Sequence, residues 1–153
     1  DTAHVLPALI RKTYEAKINN RDYIEIWGNG KSLREFMHVD DLAEACVFAL
    51  EQWDPNKHNA PKDDSGEPLT WLNVGTGVDI SIKNLAEMIA SITSYKGEII
   101  WDKNKPDGTY QKLLDVAKLK NLGWNSKIPL EEGIKLTYED FKIDFNKNNL
   151  RKK

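Results

Sequence analysis

The 153-residue chain carries 22 basic and 24 acidic side chains, a net charge of −2, with 40% hydrophobic residues, nine Gly and six Pro. That composition excludes a collagen-like, disordered or disulfide-stapled chain, and a length of this order buries roughly two-thirds of its surface. No apolar run approaches the ~20 residues that span a bilayer, and no signal-peptide pattern opens the chain. A single cysteine, Cys46, forbids an internal disulfide and fits a reducing, cytoplasmic setting. Residues 101–153 hold 12 basic against 8 acidic groups, helped by a basic tail at 146–153. Lacking aromatic interleaving, that tail reads as a solvated end rather than a nucleic-acid-binding arm.

The chain starts Asp1-Thr2-Ala3-His4 and turns helical almost at once, which reads as a fragment of a longer protein. A helix is predicted over 3–19, with Thr2 as cap, Pro7 in the first turn, and Leu6, Leu9, Ile10 and Thr13 on one face. Tyr23-Ile24-Glu25-Ile26-Trp27 alternates as a strand does, and Gly28-Asn29-Gly30 ends it in a turn. Residues 35–39 read as a short extended segment. Asp40 then stands as N-cap of a second helix, which sends Leu42, Ala45, Cys46, Ala49 and Leu50 toward a core.

A polar stretch broken by Pro55, Pro61, Gly66 and Pro68 makes 53–70 a long surface loop. Trp71-Leu72-Asn73-Val74 reads as a strand running into Gly75-Thr76-Gly77. Ser81 caps a third helix whose buried stripe is Ile82, Leu85, Ile89 and Ile92. Residues 98–101 form another strand, followed by the turn-rich Lys105-Pro106-Asp107-Gly108. A short helix from Asp115 stops at Gly123, and a last helix from near Pro129-Leu130 buries Leu130, Ile134, Tyr138, Phe141 and Phe145. Strands alternating with helices predict an α/β layered fold.

The chemistry is legible mainly by elimination. His4, His38 and His58 lack partners at metal-ligand spacing, so no metal is expected, and no Gly-x-Ser-x-Gly elbow is present. Gly75-Thr76-Gly77 follows a strand but lacks the third glycine of a dinucleotide fingerprint. Lys12, Arg34 and Lys105 lie near element ends, where an Arg fork or a Lys point charge suits phosphate oxygens. Trp27 and Asp107 accompany them. Asp107 is placed to accept hydrogen bonds from hydroxyls or a base edge, or simply to shape its Pro-Asp-Gly turn.

These blocks resemble the substrate domain of the GDP-L-fucose synthases, extended short-chain dehydrogenase/reductases. The likeness rests on 4–12, on Trp27-Gly28-Asn29-Gly30, and on Arg34-Glu35-Phe36-Met37-His38-Val39-Asp40-Asp41. Asn73-Val74-Gly75-Thr76-Gly77-Val78-Asp79, 105–109, 112–115 and Leu122-Gly123-Trp124 continue it in the family's order. The resemblance implies that 1–153 is the C-terminal, nucleotide-sugar-binding part of an NADP-dependent epimerase and oxidoreductase, with one return to the Rossmann sheet around 40–79. The whole enzyme would be a cytoplasmic homodimer acting on a GDP-sugar, binding neither nucleic acid nor membrane.

The resemblance further implies that His4 is the acid/base of epimerisation and lies against the nicotinamide. A group titrating near neutral pH suits proton removal alpha to a ketone. Lys12 and Arg34 would take phosphate charge, and Trp27 and Asp107 would shape the rest of the pocket. The family's Gly-rich cofactor loop, catalytic Ser and Tyr-x-x-x-Lys pair precede the region present, so the chain alone is expected to be inactive. Tyr138 and Lys142 have the dyad's spacing but read as one face of a helix. Two alternatives stay open: another nucleotide-sugar epimerase or dehydratase, and a non-catalytic module for nucleotides or polyanions. A fragment of this kind is also expected to expose a contiguous apolar patch.

Overall fold

A computed structural model describes residues 4–147. The expectations for Thr2 as a cap and for most of the 146–153 tail lie outside the described residues. The elements in order are α1 (Val5–Ile18), β1 (Tyr23–Trp27), β2 (Leu33–Glu35), α2 (Val39–Gln52), β3 (Asp79–Ser81), α3 (Ile82–Thr93), β4 (Glu98–Asp102), β5 (Gln111–Lys112), α4 (Ala117–Asn121) and α5 (Leu130–Asn146). They form two compact units. One gathers 4–34, Ile80–Gln111 and 131–147; the other gathers Glu35–Asp79 and Lys112–Leu130.

In the first unit β1 and β4 run parallel, in register from Tyr23 opposite Glu98 to Trp27 opposite Asp102. Parallel neighbours need a crossover connection, and α3 leads directly into β4. The alternation read from the sequence is realised: Ile24 and Ile26 are buried while Tyr23, Glu25 and Trp27 face outward. Leu9 and Ile10 of α1, Leu85 and Ile89 of α3, and Ile134 of α5 complete this core. Each such side chain contributes about 1.5–3 kcal/mol when fully removed from water. The hydroxyls of Thr13 and Thr93 are buried but return to carbonyls of their own helices, those of Leu9 and Ile89 among them. Ser81 caps α3 as expected, its Oγ accepting from the Asn84 N–H at 3.1 Å. Three short strands pair separately in the order β3–β2–β5.

The second unit packs Ala45, Leu119 and Trp124 with Met37, Phe48, Leu72 and Val74. Several expectations fail here. The cap of α2 is His38, whose Nδ1 accepts from the Asp40 N–H at 3.3 Å, so Asp40 lies inside the first turn. Asp41, only 2% exposed, accepts from the backbone N–H groups of Lys127 and Ile128 at 3.0–3.1 Å. Residues 71–74 form no strand: their alternation suits a pleated surface, but they lie in no ladder with the described residues. Extended pairing near 35–39 is confined to β2, which ends at Glu35.

The largest departure is the outer face of α2. Ala45 is buried, but Leu42, Cys46 and Leu50 are exposed, Leu50 by 87%. Val39, Leu42, Cys46 and Leu50 recur at helical spacing, so the apolar stripe read as core stands in solvent. The periodicity was correct; what it faces is not supplied by the described residues. No described helix is long and apolar enough to cross a membrane.

Candidate functional site

Parallel α/β sheets bind ligands beyond the carboxyl ends of their strands. Here β1 ends at Trp27 and β4 at Asp102, and the Gly28 N–H donates to the Asp102 carbonyl at 2.9 Å, extending the ladder by one rung. The predicted turn at 105–108 lies slightly upstream. Asn104 N–H donates to Asp102 Oδ1 at 3.0 Å and Lys105 N–H to the Asp102 carbonyl at 3.2 Å, so 102–105 turns and 106–109 runs on without regular structure.

The sequence-derived residues gather around this loop. Trp27 is 58% exposed, and the Lys105 ammonium stands 5.3 Å from the centre of its ring. Asp107, though exposed, is engaged by the turn after β1: its Oδ1 accepts from the Asn29 N–H at 2.6 Å, and its carbonyl accepts from Ser32 Oγ at 3.1 Å. Gly28, at φ +87°, lies so close to that carboxylate that a Cβ would overlap Asp107 Oδ1. Arg34 places Nη1 on the Leu33 carbonyl at 2.6 Å, while its Nη2 lies 3.7 Å from where a Cβ on Gly108 would sit. The loop thus carries a cation at each end, and the carboxylate between them serves the neighbouring turn.

Lys12 lies on α1 and His4 at its N-cap. Lys12 Nζ donates to the Glu25 carbonyl at 2.6 Å, two residues before Trp27 in β1. His4 is exposed at the N-cap of α1, with extended backbone and an imidazole that caps no helix N–H. Eight helical positions separate it from Lys12, a rise of about 12 Å. The tyrosine-lysine spacing at Tyr138 and Lys142 is not a catalytic dyad. Lys142 lies over the Tyr138 ring at 4.9 Å and bonds Glu139 at 2.7 Å, and burial pushes the phenol above its ordinary value.

Sequence reasoning missed Asn29, Ser32 and Glu35. The Asn-Gly pair marked a turn but not its carboxylate partner, and nothing local marks Ser32. In the second unit Glu35 Oε1 accepts from the Gly77 N–H at 2.7 Å and Thr76 Oγ1 at 3.2 Å, while Oε2 accepts from the Leu114 N–H at 3.0 Å. An acidic group therefore fills the Gly75-Thr76-Gly77 loop, which cannot also cradle a dinucleotide phosphate. Glu35 also lines a cavity of about 510 Å³ with Met37, Val74, Gly75, Lys112, Leu113 and Leu114, none of them a predicted site residue. No group of His, Cys, Asp and Glu able to hold a metal occurs among the described residues.

Residues 1–61 match the NAD dependent epimerase/dehydratase family. The chain is 48% identical over 139 residues to a putative GDP-L-fucose synthase 2 of Arabidopsis thaliana, which covers 91% of this chain and 38% of that protein. It is 44% identical over 139 residues to the GDP-L-fucose synthase of Escherichia coli K12, covering 91% and 42%. In structure it is similar to a GDP-mannoheptose C4 reductase of Campylobacter jejuni solved with NADP bound. That match has a TM-score of 0.76 and 35% identity, over 92% of this chain and 45% of the other. The chain spans about two-fifths of the length of these curated relatives.

Proposed function

We propose that this chain is a member of the NAD dependent epimerase/dehydratase family and the nucleotide-sugar-binding part of an enzyme that makes GDP-L-fucose. The whole enzyme would take GDP-4-keto-6-deoxy-D-mannose through 3,5-epimerisation and NADPH-dependent reduction at C4. The observation that supports the reading is the loop at 105–108, which has Lys105 over Trp27 at one end and Gly108 beside Arg34 at the other, past the ends of two parallel strands.

Arg34 supplies a planar guanidinium fork with donors left over for a diphosphate. Trp27 offers an exposed indole for the base or sugar. Asp107 shapes the turn after β1, and Lys12 adds positive charge beside β1. His4 is the acid/base for the proton alpha to the ketone. NADP would supply hydride, and its pyrophosphate does not fit the Gly75-Thr76-Gly77 loop, which Glu35 occupies. That part of the reaction belongs to residues outside these 153, as do the catalytic Ser and Tyr-x-x-x-Lys, and this chain alone would not turn over substrate. The complete enzyme is read as a cytoplasmic homodimer.

Calorimetric titration of the chain with GDP, ADP and a short oligonucleotide tests the reading. Preference for GDP, weakened by Arg34→Ala, supports it; oligonucleotide binding with a steep salt dependence would replace it with a polyanion-binding module. In the complete enzyme, His4→Asn should block sugar isomerisation and spare cofactor binding. Normal turnover by that variant would remove His4 from the chemistry and favour another nucleotide-sugar epimerase or dehydratase.

A further inference from the structure

The turn after β1 contains the one Asn-Gly pair of the sequence, Asn29-Gly30. Asn29 is exposed, and its side-chain Oδ1 accepts from the Lys31 N–H at 2.8 Å. That bond draws electron density from the amide carbon, while Nδ2 has no partner among the described residues. Asn19, Asn56 and Asn73 differ, each committing its Nδ2 to an oxygen of the chain. The next backbone nitrogen, that of Gly30, likewise donates to no described residue. No larger residue can take the place of Gly30 and shield that nitrogen: its φ is +73°, and a Cβ would lie 2.8 Å from the Trp101 ring. The fold therefore holds a polarised side-chain carbonyl next to an uncommitted backbone nitrogen.

We propose that Asn29 is a self-modification site, at which the Gly30 nitrogen bonds to Asn29 Cγ and the bond from Cγ to Nδ2 breaks. The Gly30 N–H proton passes through solvent to Nδ2, which leaves as ammonia. Water, the only co-reactant, then opens the resulting succinimide at either carbonyl to give aspartate or isoaspartate, with no change of oxidation state. The isoaspartyl product runs the backbone through the former side chain and makes it one methylene longer. That displaces Gly30, whose carbonyl accepts from the Lys83 N–H at 2.9 Å, in the first turn of α3 where N–H groups lack intrahelical partners. Either product also sets a second carboxylate beside Asp107, whose Oδ1 is held by the N–H of residue 29 itself. Ageing at this one amide thus loosens the turn that ties β1 to α3 and to the loop at 105–108. Nothing in this chemistry depends on the nucleotide-sugar reading.

The test ages the wild-type chain and Asn29→Gln at physiological temperature and mildly alkaline pH, beside wild type unfolded in guanidinium chloride. Peptide mass spectrometry follows every asparagine, and isoaspartate is read by methyl transfer from S-adenosylmethionine with an isoaspartyl methyltransferase. The native chain should lose the Asn29 amide as fast as the unfolded one and ahead of every other asparagine. It should gain methyl acceptance as it ages, and its denaturant midpoint should fall. Asn29→Gln, whose longer side chain closes a less favourable ring, should show none of these changes. Protection of Asn29 in the native chain while the unfolded chain converts would refute the site, as would amide loss spread evenly over the asparagines. Conversion to aspartate without isoaspartate would remove the Gly30 nitrogen as nucleophile and overturn the mechanism. Full conversion with an unchanged midpoint would refute the loosening of the turn.

Discussion

Replacing Gly28 by alanine probes the scaffold of the candidate site. Gly28 sits at φ +87°, and its missing side chain is the space that the Asp107 carboxylate fills. The left-handed backbone costs an L-residue about 1–2 kcal/mol. A methyl there must also displace Asp107 from the Asn29 N–H, a further loss of about 1 kcal/mol for one hydrogen bond. Gly28→Ala should therefore destabilise by roughly 2–3 kcal/mol, or about 5–10 °C in Tm for a domain of this size. Gly66 is an internal control, with φ +89° and nothing within 4 Å of its would-be Cβ, so Gly66→Ala carries the backbone cost alone. Denaturant unfolding of both variants, and of Gly28→Ala in an Asp107→Ala background, separates the contributions. In that background the cost should fall to the Gly66 level. Equal destabilisation by Gly28→Ala and Gly66→Ala in the wild-type chain would refute the Asp107 latch.

Asp41→Ala should destabilise by about 2–4 kcal/mol, since it orphans the N–H groups of Lys127 and Ile128 beside a buried position; a loss under 0.5 kcal/mol in urea melts would contradict this. Cys46, exposed on α2, should react with a thiol reagent at nearly the rate of an unfolded-chain cysteine, and strong protection in the native chain would show that its helix face is covered. The neighbouring stripe of Val39, Leu42 and Leu50 predicts concentration-dependent self-association, to be read by light scattering; a monodisperse monomer at high concentration would contradict it. Burial raises the Tyr95 phenol above 10.0, so its stabilising contribution is complete below that pH and is lost as pH rises through the folded value. Stability measured against pH should fall on that limb less steeply in Tyr95→Phe, and an unchanged limb would reject the assignment.

Where a pattern depends on local periodicity and capping, the sequence reading matched the structure. The strand at 23–27 and its alternation, the Ser81 cap, and the helix ending at Gly123 all arise from interactions within a few residues. Failures occur where a distant partner decides. Residues 71–74 alternate like a strand but lie in no ladder with the described residues, and Asp41 is drawn inward by residues 86 and 87 positions away; the cap taken by His38 instead of Asp40 is a local exception, two residues apart. Leu42 and Leu50 were placed in a core because helical spacing says which residues share a face, not what that face meets. Chemical type nominated Trp27, Arg34 and Asp107 as candidates, and the structure sets all three at or beside one loop. The bond from Asn29 to Asp107 crosses 78 positions and is not readable locally, and neither is the filling of the Gly75-Thr76-Gly77 loop by Glu35.

The central claim is that the loop at 105–108 is a nucleotide-diphosphate site, and a crystal structure of the chain with GDP tests it most directly. The account predicts diphosphate oxygens within hydrogen-bonding distance of the Arg34 guanidinium, with the indole of Trp27 in contact with the ligand. GDP bound elsewhere, such as the cavity lined by Glu35 and Lys112, would contradict it.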